Sequence, residues 1–277
     1  MAKHVEGAVP GSAGGSVYWQ SWTPDDIKAV VVISHGLAEH SGRYAHVAAR
    51  LNDAGYAVYA LDHRGHGRTD GTAGNVEGFT HLRRDLDNLL TKARGEHPGL
   101  PVFLLGHSFG GLVALDFLID RGESGVTGLV LSGPYIDAEA GNAVQRRLAP
   151  LLAALAPNAG VATLDATTVS RDPAEVARYV EDPLNYHGKV RARSGAEMLA
   201  AAGRVVSGVS RLTLPVLIMH GAADRLAPPG GSKLVAERIR STDKTLTLYD
   251  GLFHEIFNEP EKDQVLGDVV TWLDKHI

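Results

Sequence analysis

Gly106-His107-Ser108-Phe109-Gly110 has the pattern G-x-S-x-G, between the apolar run Val102–Leu105 and an apolar stretch from Phe109 to about Asp120. A sharp strand-to-helix turn leaves no room for side chains at its flanks, hence glycine at 106 and 110. It lifts the Ser108 hydroxyl above the end of the strand. The helix N-terminus beneath it favours developing negative charge. The chemistry implied is nucleophilic attack by Ser108, and a serine hydroxyl needs a base for that. Around such a turn the partners follow in the order serine, acid, histidine. Of 13 histidines, His254 lies just after the last strand-like run and before the last helical one, on a loop that returns to the edge carrying Ser108. His220 ends a strand-like run and is expected to pack or bond locally. His276 lies in the terminal tail and is expected to be solvated. The acid must hold the imidazole in the right tautomer. Asp224 suits this, on the loop after Pro215–His220 in the pattern His-Gly-Ala-Ala-Asp. Asp250 is its nearest rival, but turn chemistry beside Gly251 accounts for that residue. Ile33-Ser34-His35-Gly36-Leu37 closes an early buried run. The backbone amides of Leu37 and Phe109 are the expected donors to an oxyanion. His35 and His107 are expected to be structural.

The elements that must position these groups alternate along the chain. Ser16–Trp22 reads as an edge strand. Ala29–Ser34, Ala57–Leu61, Val102–Leu105, Gly128–Ser132, Val216–His220 and Thr245–Tyr249 read as further strands. Helical spacing marks Tyr44–Ala54, Phe79–Arg94, Phe109–Asp120, Ser232–Ile239 and Gln264–Lys275. Such alternation implies a mostly parallel central sheet with helices on both faces. From Pro134 to about Arg211 the rhythm breaks into helical patterns with no convincing strand. The expected organisation is a core of residues 1–133 and 212–277, with 134–211 inserted as a helical cap over the carboxyl ends of the strands, where open α/β sheets bind ligands.

Bulk properties narrow the setting. The 277 residues are 44% hydrophobic and 21% charged, normal for a globular chain. There is no cysteine, which removes disulfides, a cysteine nucleophile and cysteine–metal sites. A net charge of −5 argues against nucleic acid as a partner. Residues 1–15 lack the apolar core of a signal peptide. No apolar run approaches the ~20 residues of a membrane span. The cytoplasm is the expected compartment, with peripheral lipid contact left open.

Three segments carry a family resemblance: Ser34-His35-Gly36-Leu37-Ala38-Glu39-His40-Ser41-Gly42-Arg43-Tyr44, Leu61-Asp62-His63-Arg64-Gly65-His66-Gly67-Arg68 and Gly106–Gly111. Together they resemble the monoacylglycerol lipase and lysophospholipase group of serine hydrolases. The likeness extends to Asp182-Pro183-Leu184 and to the surroundings of Asp224 and His254. It is weakest across 134–211. It implies the α/β-hydrolase fold, a helical cap over an acyl tunnel, and a narrow polar end that receives glycerol. The family's glycerol-side glutamate and arginine fall on Glu39 and Arg43, although an ion pair between the two explains them equally. Asp62–Arg68 is expected to form a hydrogen-bonded turn supporting the site. Two departures stand out: Phe109 replaces a common methionine, and Phe257 replaces a histidine of animal members.

Val144, Leu148, Leu151, Leu152 and Leu155 recur at helical spacing beside Arg146 and Arg147. They read as an amphipathic cap helix that admits a lipid chain and touches a membrane surface, or as a helix packed on the domain. The activity expected is release of a fatty acid and glycerol from monoacylglycerols through an acyl-enzyme, with no metal or cofactor. The alternatives are a general carboxylesterase or lysophospholipase, a cofactor-free haloperoxidase using the same three residues, and a non-catalytic ligand receptor on the same fold. Serine at the elbow excludes hydrolases with an aspartate nucleophile.

Overall fold

The computed structural model describes residues 2–123, 125–137, 140–141 and 143–277. The chain opens with an antiparallel ribbon, β1 (Lys3–Pro10) and β2 (Ser16–Thr23). It continues through β3 (Ala29–Ser34), α1 (Ala45–Asp53), β4 (Tyr56–Leu61), α2 (Phe79–Glu96), β5 (Val102–His107), α3 (Phe109–Arg121) and β6 (Gly128–Ser132). Between β6 and the next sheet strand come α4 (Ala143–Leu155), β7 (Gly160–Ala162), α5 (Pro173–Glu181), β8 (Val190–Arg191) and α6 (Ala192–Gly208). The chain closes with β9 (Val216–Gly221), α7 (Gly230–Arg238), β10 (Lys244–Tyr249) and α8 (Lys262–Asp274).

Eight strands form one sheet in the order β1-β2-β4-β3-β5-β6-β9-β10. All pairings from β4 to β10 are parallel. Strands covered on both faces have no solvent side, so β3, β4, β5, β6 and β9 are buried at every position and read as unbroken apolar runs. On one face α2, α3 and α6 bury Leu86, Leu112 and Val205. On the other, α1 and α8 bury Leu51 and Val269 against Tyr56 and Phe103. This is the α/β-hydrolase fold that the family resemblance implies, built on the mostly parallel sheet that the alternation of elements anticipates.

Two expectations need correction. Ser16–Trp22 is not the edge: β1 pairs with it along its whole length. Lys3–Pro10 contains few apolar residues, and its extended form comes from the ladder with β2. The stretch 134–211 also holds two strands, β7 and β8, paired antiparallel. Runs of three and two residues are too short for periodicity to register. α6 has a double character. Its Met198, Ala201, Ala202 and Val205 join the core cluster, while Ala192, Gly195 and Leu199 face a cavity.

Candidate active site

The end of β5 turns into α3 through Ser108, whose φ of 53° and ψ of −120° are rare outside glycine. Such a conformation costs about 1–3 kcal/mol and persists only where its surroundings enforce it. Ser108 N–H donates to Ser132 O of β6 at 2.9 Å, and its carbonyl accepts from the amides of Gly111 and Tyr135 at 3.0 Å. A Cβ at Gly110 would sit 1.9 Å from Ser34 O. Glycine is therefore required so that α3 can press against the end of β3, where the Gly36-Leu37 turn begins.

The three residues read from the sequence meet. Ser108 Oγ–H donates to His254 Nε2 at 2.8 Å, and His254 Nδ1–H donates to Asp224 Oδ2 at 2.7 Å. Ser108 sits at the end of β5, Asp224 on the β9–α7 loop and His254 between β10 and α8. Parallel strands bring all three to one sheet edge. The His254 loop is pinned on either side: Phe253 N–H donates to the buried Glu259 at 2.8 Å, and Glu255 N–H to Val169 O at 2.8 Å. Burial alone would raise the Asp224 carboxyl; hydrogen bonds from His220 and His254 hold it well below the usual carboxylate range. Asp250, the rival acid, is exposed in the turn that precedes this loop.

The Gly36-Leu37 turn is built differently from its reading as a simple small-residue bend. Gly36 N–H donates to Glu39 Oε1 at 2.6 Å, and Tyr44 O–H donates to the same oxygen at 2.7 Å. Arg43 Nη1 donates to Glu39 Oε2 at 2.8 Å and to Glu255 Oε1 at 2.7 Å, while Nη2 donates to Glu255 Oε2 at 2.7 Å. One buried guanidinium thus joins the turn carrying Leu37 to the residue after His254. Burial would raise both carboxyls, but Arg43 beside them holds Glu39 and Glu255 below their ordinary range. Leu37 lines the cavity. Phe109 opens α3, where an amide has no partner within the helix.

Imidazoles pack behind this turn. His35 Nδ1–H donates to Gly36 O at 2.7 Å, and His35 Nε2 accepts from His63 N–H at 2.8 Å. His63 bonds Ser34 Oγ at 2.8 Å, and the rings of His63 and His66 lie 5.6 and 6.3 Å from that of Phe109. Burial lowers His35 and His63, and lowers His66 to about 4. His107 bonds Ser132 Oγ at 3.1 Å, its ring 4.9 Å from His254; burial and then the His254 charge lower it to about 4. Asp62 organises the neighbouring turn by accepting from Ser41 N–H at 2.8 Å and Arg68 N–H at 2.8 Å.

Ser108 and His254 open onto a cavity of about 730 Å³. Its wall is largely apolar, from Leu148 and Leu152 of α4 to Val161, Tyr179 and Leu199, and its floor is polar at Ser108, His254 and Glu39. Behind the floor, Arg43, His46, His107 and Phe257 enclose a second cleft of only about 10 Å³, room for about one water. Arg43 therefore reaches no substrate-sized space, and both of its terminal nitrogens donate to carboxylates. Among the described residues, no group of three or more His, Asp or Glu side chains is arranged to hold a metal ion. No described helix is long and apolar enough to cross a membrane.

Three functional neighbours escape the sequence reading. His220 does bond locally, but one of its partners is Asp224 Oδ2 at 3.0 Å. Its four-residue spacing from Asp224 at a strand end is the signal that points to it. Glu255 and Glu259 carry no local signal beyond proximity to His254. His276 is half-buried rather than free in solvent: it stacks on Trp272 and bonds Asp243 at 3.0 Å.

A strained serine, an imidazole and a carboxylate in one hydrogen-bonded line, at the strand ends of an α/β-hydrolase sheet, define a serine hydrolase. Residues 25–261 match the family described as serine aminopeptidase, S33. The monoacylglycerol lipase of Mycolicibacterium smegmatis is 42% identical over 98% of this chain and 98% of its own length. The monoglyceride lipase of Rattus norvegicus is 37% identical over 94% of this chain and 86% of its own. The crystal structure of the Paleococcus ferrophilus monoacylglycerol lipase superposes with a TM-score of 0.82 and 31% identity, covering both chains completely. The chain belongs to the monoacylglycerol lipase family, and it is a carboxylic ester hydrolase.

Proposed function

We propose that the protein hydrolyses monoacylglycerols, with Ser108 as nucleophile, His254 as general base and Asp224 as the acid that orients it. Ser108 Oγ attacks the ester carbonyl while His254 Nε2 takes its proton. The amides of Leu37 and Phe109 stabilise the oxyanion, each such donor being worth about 3 kcal/mol in the transition state. The tetrahedral intermediate collapses, His254 returns the proton to the glycerol oxygen, and the acyl group stays on Ser108. His254 then deprotonates a water that attacks the acyl carbonyl; the bond to Ser108 Oγ breaks, His254 returns the proton to that oxygen, and the fatty acid leaves. The observation that carries this reading is the Ser108–His254–Asp224 line on the polar floor of an apolar cavity of about 730 Å³. A cavity of that size and lining suits a single acyl chain.

Residues 134–211 serve as the cap, with α4 over the cavity. Its Leu151 and Leu155 are 55% and 77% exposed and contact a lipid surface from which substrate enters. Glu39, on the cavity floor, accepts from a glycerol hydroxyl. Arg43 acts through Glu39 and Glu255. Arg225 also lines the cavity and would suit a phosphate headgroup, which makes lysophospholipids the second substrate class.

The test is a comparison of turnover on monoacylglycerols, lysophospholipids, di- and triacylglycerols and short nitrophenyl esters. Monoacylglycerols should be preferred. Turnover confined to short activated esters would remove the lipid reading.

A further inference from the structure

His220 is fully buried at the end of β9 and plays no part in the proton transfers above. Its ring is nevertheless committed at both nitrogens. Nε2 lies 3.0 Å from Asp224 Oδ2 and 2.5 Å from Ala227 O. Both are acceptors, so the proton sits on Nε2. Nδ1 then accepts from Ser232 Oγ–H of α7 at 2.7 Å. Asp224 consequently receives four donors. Oδ1 takes the amides of Leu226 and Ala227 at 2.8 and 3.0 Å. Oδ2 takes His254 Nδ1–H at 2.7 Å and, at 3.0 Å, a share of the His220 Nε2–H that Ala227 O also accepts.

We infer that His220 is a positioning residue for ester hydrolysis: a structural imidazole that fixes the Asp224 carboxylate so that one lone pair of Oδ2 points at His254. The two backbone amides fix Oδ1 but leave the plane of the carboxylate free to tilt about that anchor. His220 removes this freedom by holding the oxygen that His254 uses. It does so from inside the sheet, where neither water nor substrate reaches. Ser232 sets the direction of the relay by keeping the proton of His220 on the side of Asp224. The ordering runs from α7 through Ser232, His220 and Asp224 to His254 and Ser108. This inference rests on the roles proposed above for Ser108, His254 and Asp224.

The experiment compares His220→Gln with His220→Asn, using a soluble ester and counting active sites by fluorophosphonate titration. The glutamine amide nitrogen falls near the position of Nε2 and can donate to Asp224. The asparagine amide reaches only the position of Nδ1. His220→Asn should lower kcat per titrated site about 10- to 100-fold, the order seen when an outer partner that orients a site ligand is lost, with KM within about threefold of wild type. His220→Gln should recover most of kcat. Ser232→Ala, a smaller cut, should move kcat the same way and keeps the test open if His220→Asn does not fold. Equal kcat per titrated site in all variants, or a loss that glutamine fails to rescue, overturns the inference. Asp224→Asn is run alongside. If it remains active, the proposed role of Asp224 itself is wrong; if it is inactive while His220→Asn is not, only the role of His220 falls.

Discussion

Arg43 and Glu255 meet through two parallel N–H···O bonds of 2.7 Å, and Glu255 is the residue that follows His254. The same guanidinium reaches Glu39, which holds Gly36 N–H. Arg43→Ala would leave two buried carboxylates without their cation. Breaking such a pair from one side typically costs about 3–5 kcal/mol, so urea denaturation should show a loss of that order. Arg43→Lys should recover only part, because an ammonium cannot reproduce the planar fork. An Arg43→Ala protein as stable as wild type would mean the network holds nothing together.

Removing the Ser108 hydroxyl should remove turnover. Ser108→Ala is expected to lower kcat by about six orders of magnitude and to abolish labelling by a fluorophosphonate. Binding of a non-hydrolysable substrate analogue should survive, since the cavity wall is untouched. Residual labelling at another serine would redirect the assignment.

The strain at Ser108 has its own signature. Alanine keeps the unfavourable φ of 53°, whereas glycine adopts it freely. Ser108→Gly should therefore be more stable than Ser108→Ala by about 1 kcal/mol, after allowing for the greater entropy of glycine in the unfolded chain. Chemical denaturation of the two inactive variants measures this directly. Equal stability would show that the elbow is relaxed.

Stability should fall on mild acidification. Burial lowers His35 and His63 and lowers His66 and His107 to about 4, whereas an unfolded histidine titrates near 6.5. Between those values the unfolded chain binds protons that the folded one excludes. The contribution of these groups is therefore intact above about 6.5 and is lost as pH falls below it, for His66 and His107 down to about 4, at up to about 1.4 kcal/mol per pH unit for each. The depressed carboxylates Asp224, Glu39 and Glu255 act with the same sign in a lower window. Their stabilisation is present above the ordinary carboxylate range, about 4, and is lost below it. Urea titrations between about pH 8 and 5 thus isolate the histidines. A flat profile there would contradict their buried, neutral state.

The exposed face of α4 should matter only at a lipid surface. Leu151 and Leu155 do not line the cavity, so Leu151→Ser with Leu155→Ser should leave hydrolysis of a soluble ester unchanged. Partition onto phospholipid vesicles should weaken about tenfold or more, given the apolar area removed. Sedimentation with vesicles reads the effect. Unaltered partition would place the lipid contact elsewhere or nowhere.

Much of the fold is legible because it rests on local rules. The sheet strands β3, β5 and β9 are continuous apolar runs, since a strand covered on both faces has no polar side to show. Gly106 and Gly110 flank Ser108 because the backbone turn admits no Cβ. Asp224 and His254 are found from their places after the last two sheet strands. Strand β1 is not legible, because its polar sequence becomes extended only by pairing with β2. Nor are β7 and β8, which are too short to show a period. Glu39 and Arg43 are visible as a charged pair, but not the third member that decides what they do.

The sequence by itself determines the period of each element, the glycines at the elbow and the order in which serine, acid and histidine occur. Those depend on backbone geometry and on near neighbours. Tertiary structure alone decides that Glu255 competes for Arg43, that His220 shares an oxygen of Asp224 with His254, and that the polar cleft behind His254 has room for only about one water. These facts depend on contacts between segments far apart in the chain, at distances of a few ångströms fixed by how the strands and helices pack. No local pattern encodes a hydrogen bond whose two ends are set by different parts of the sheet.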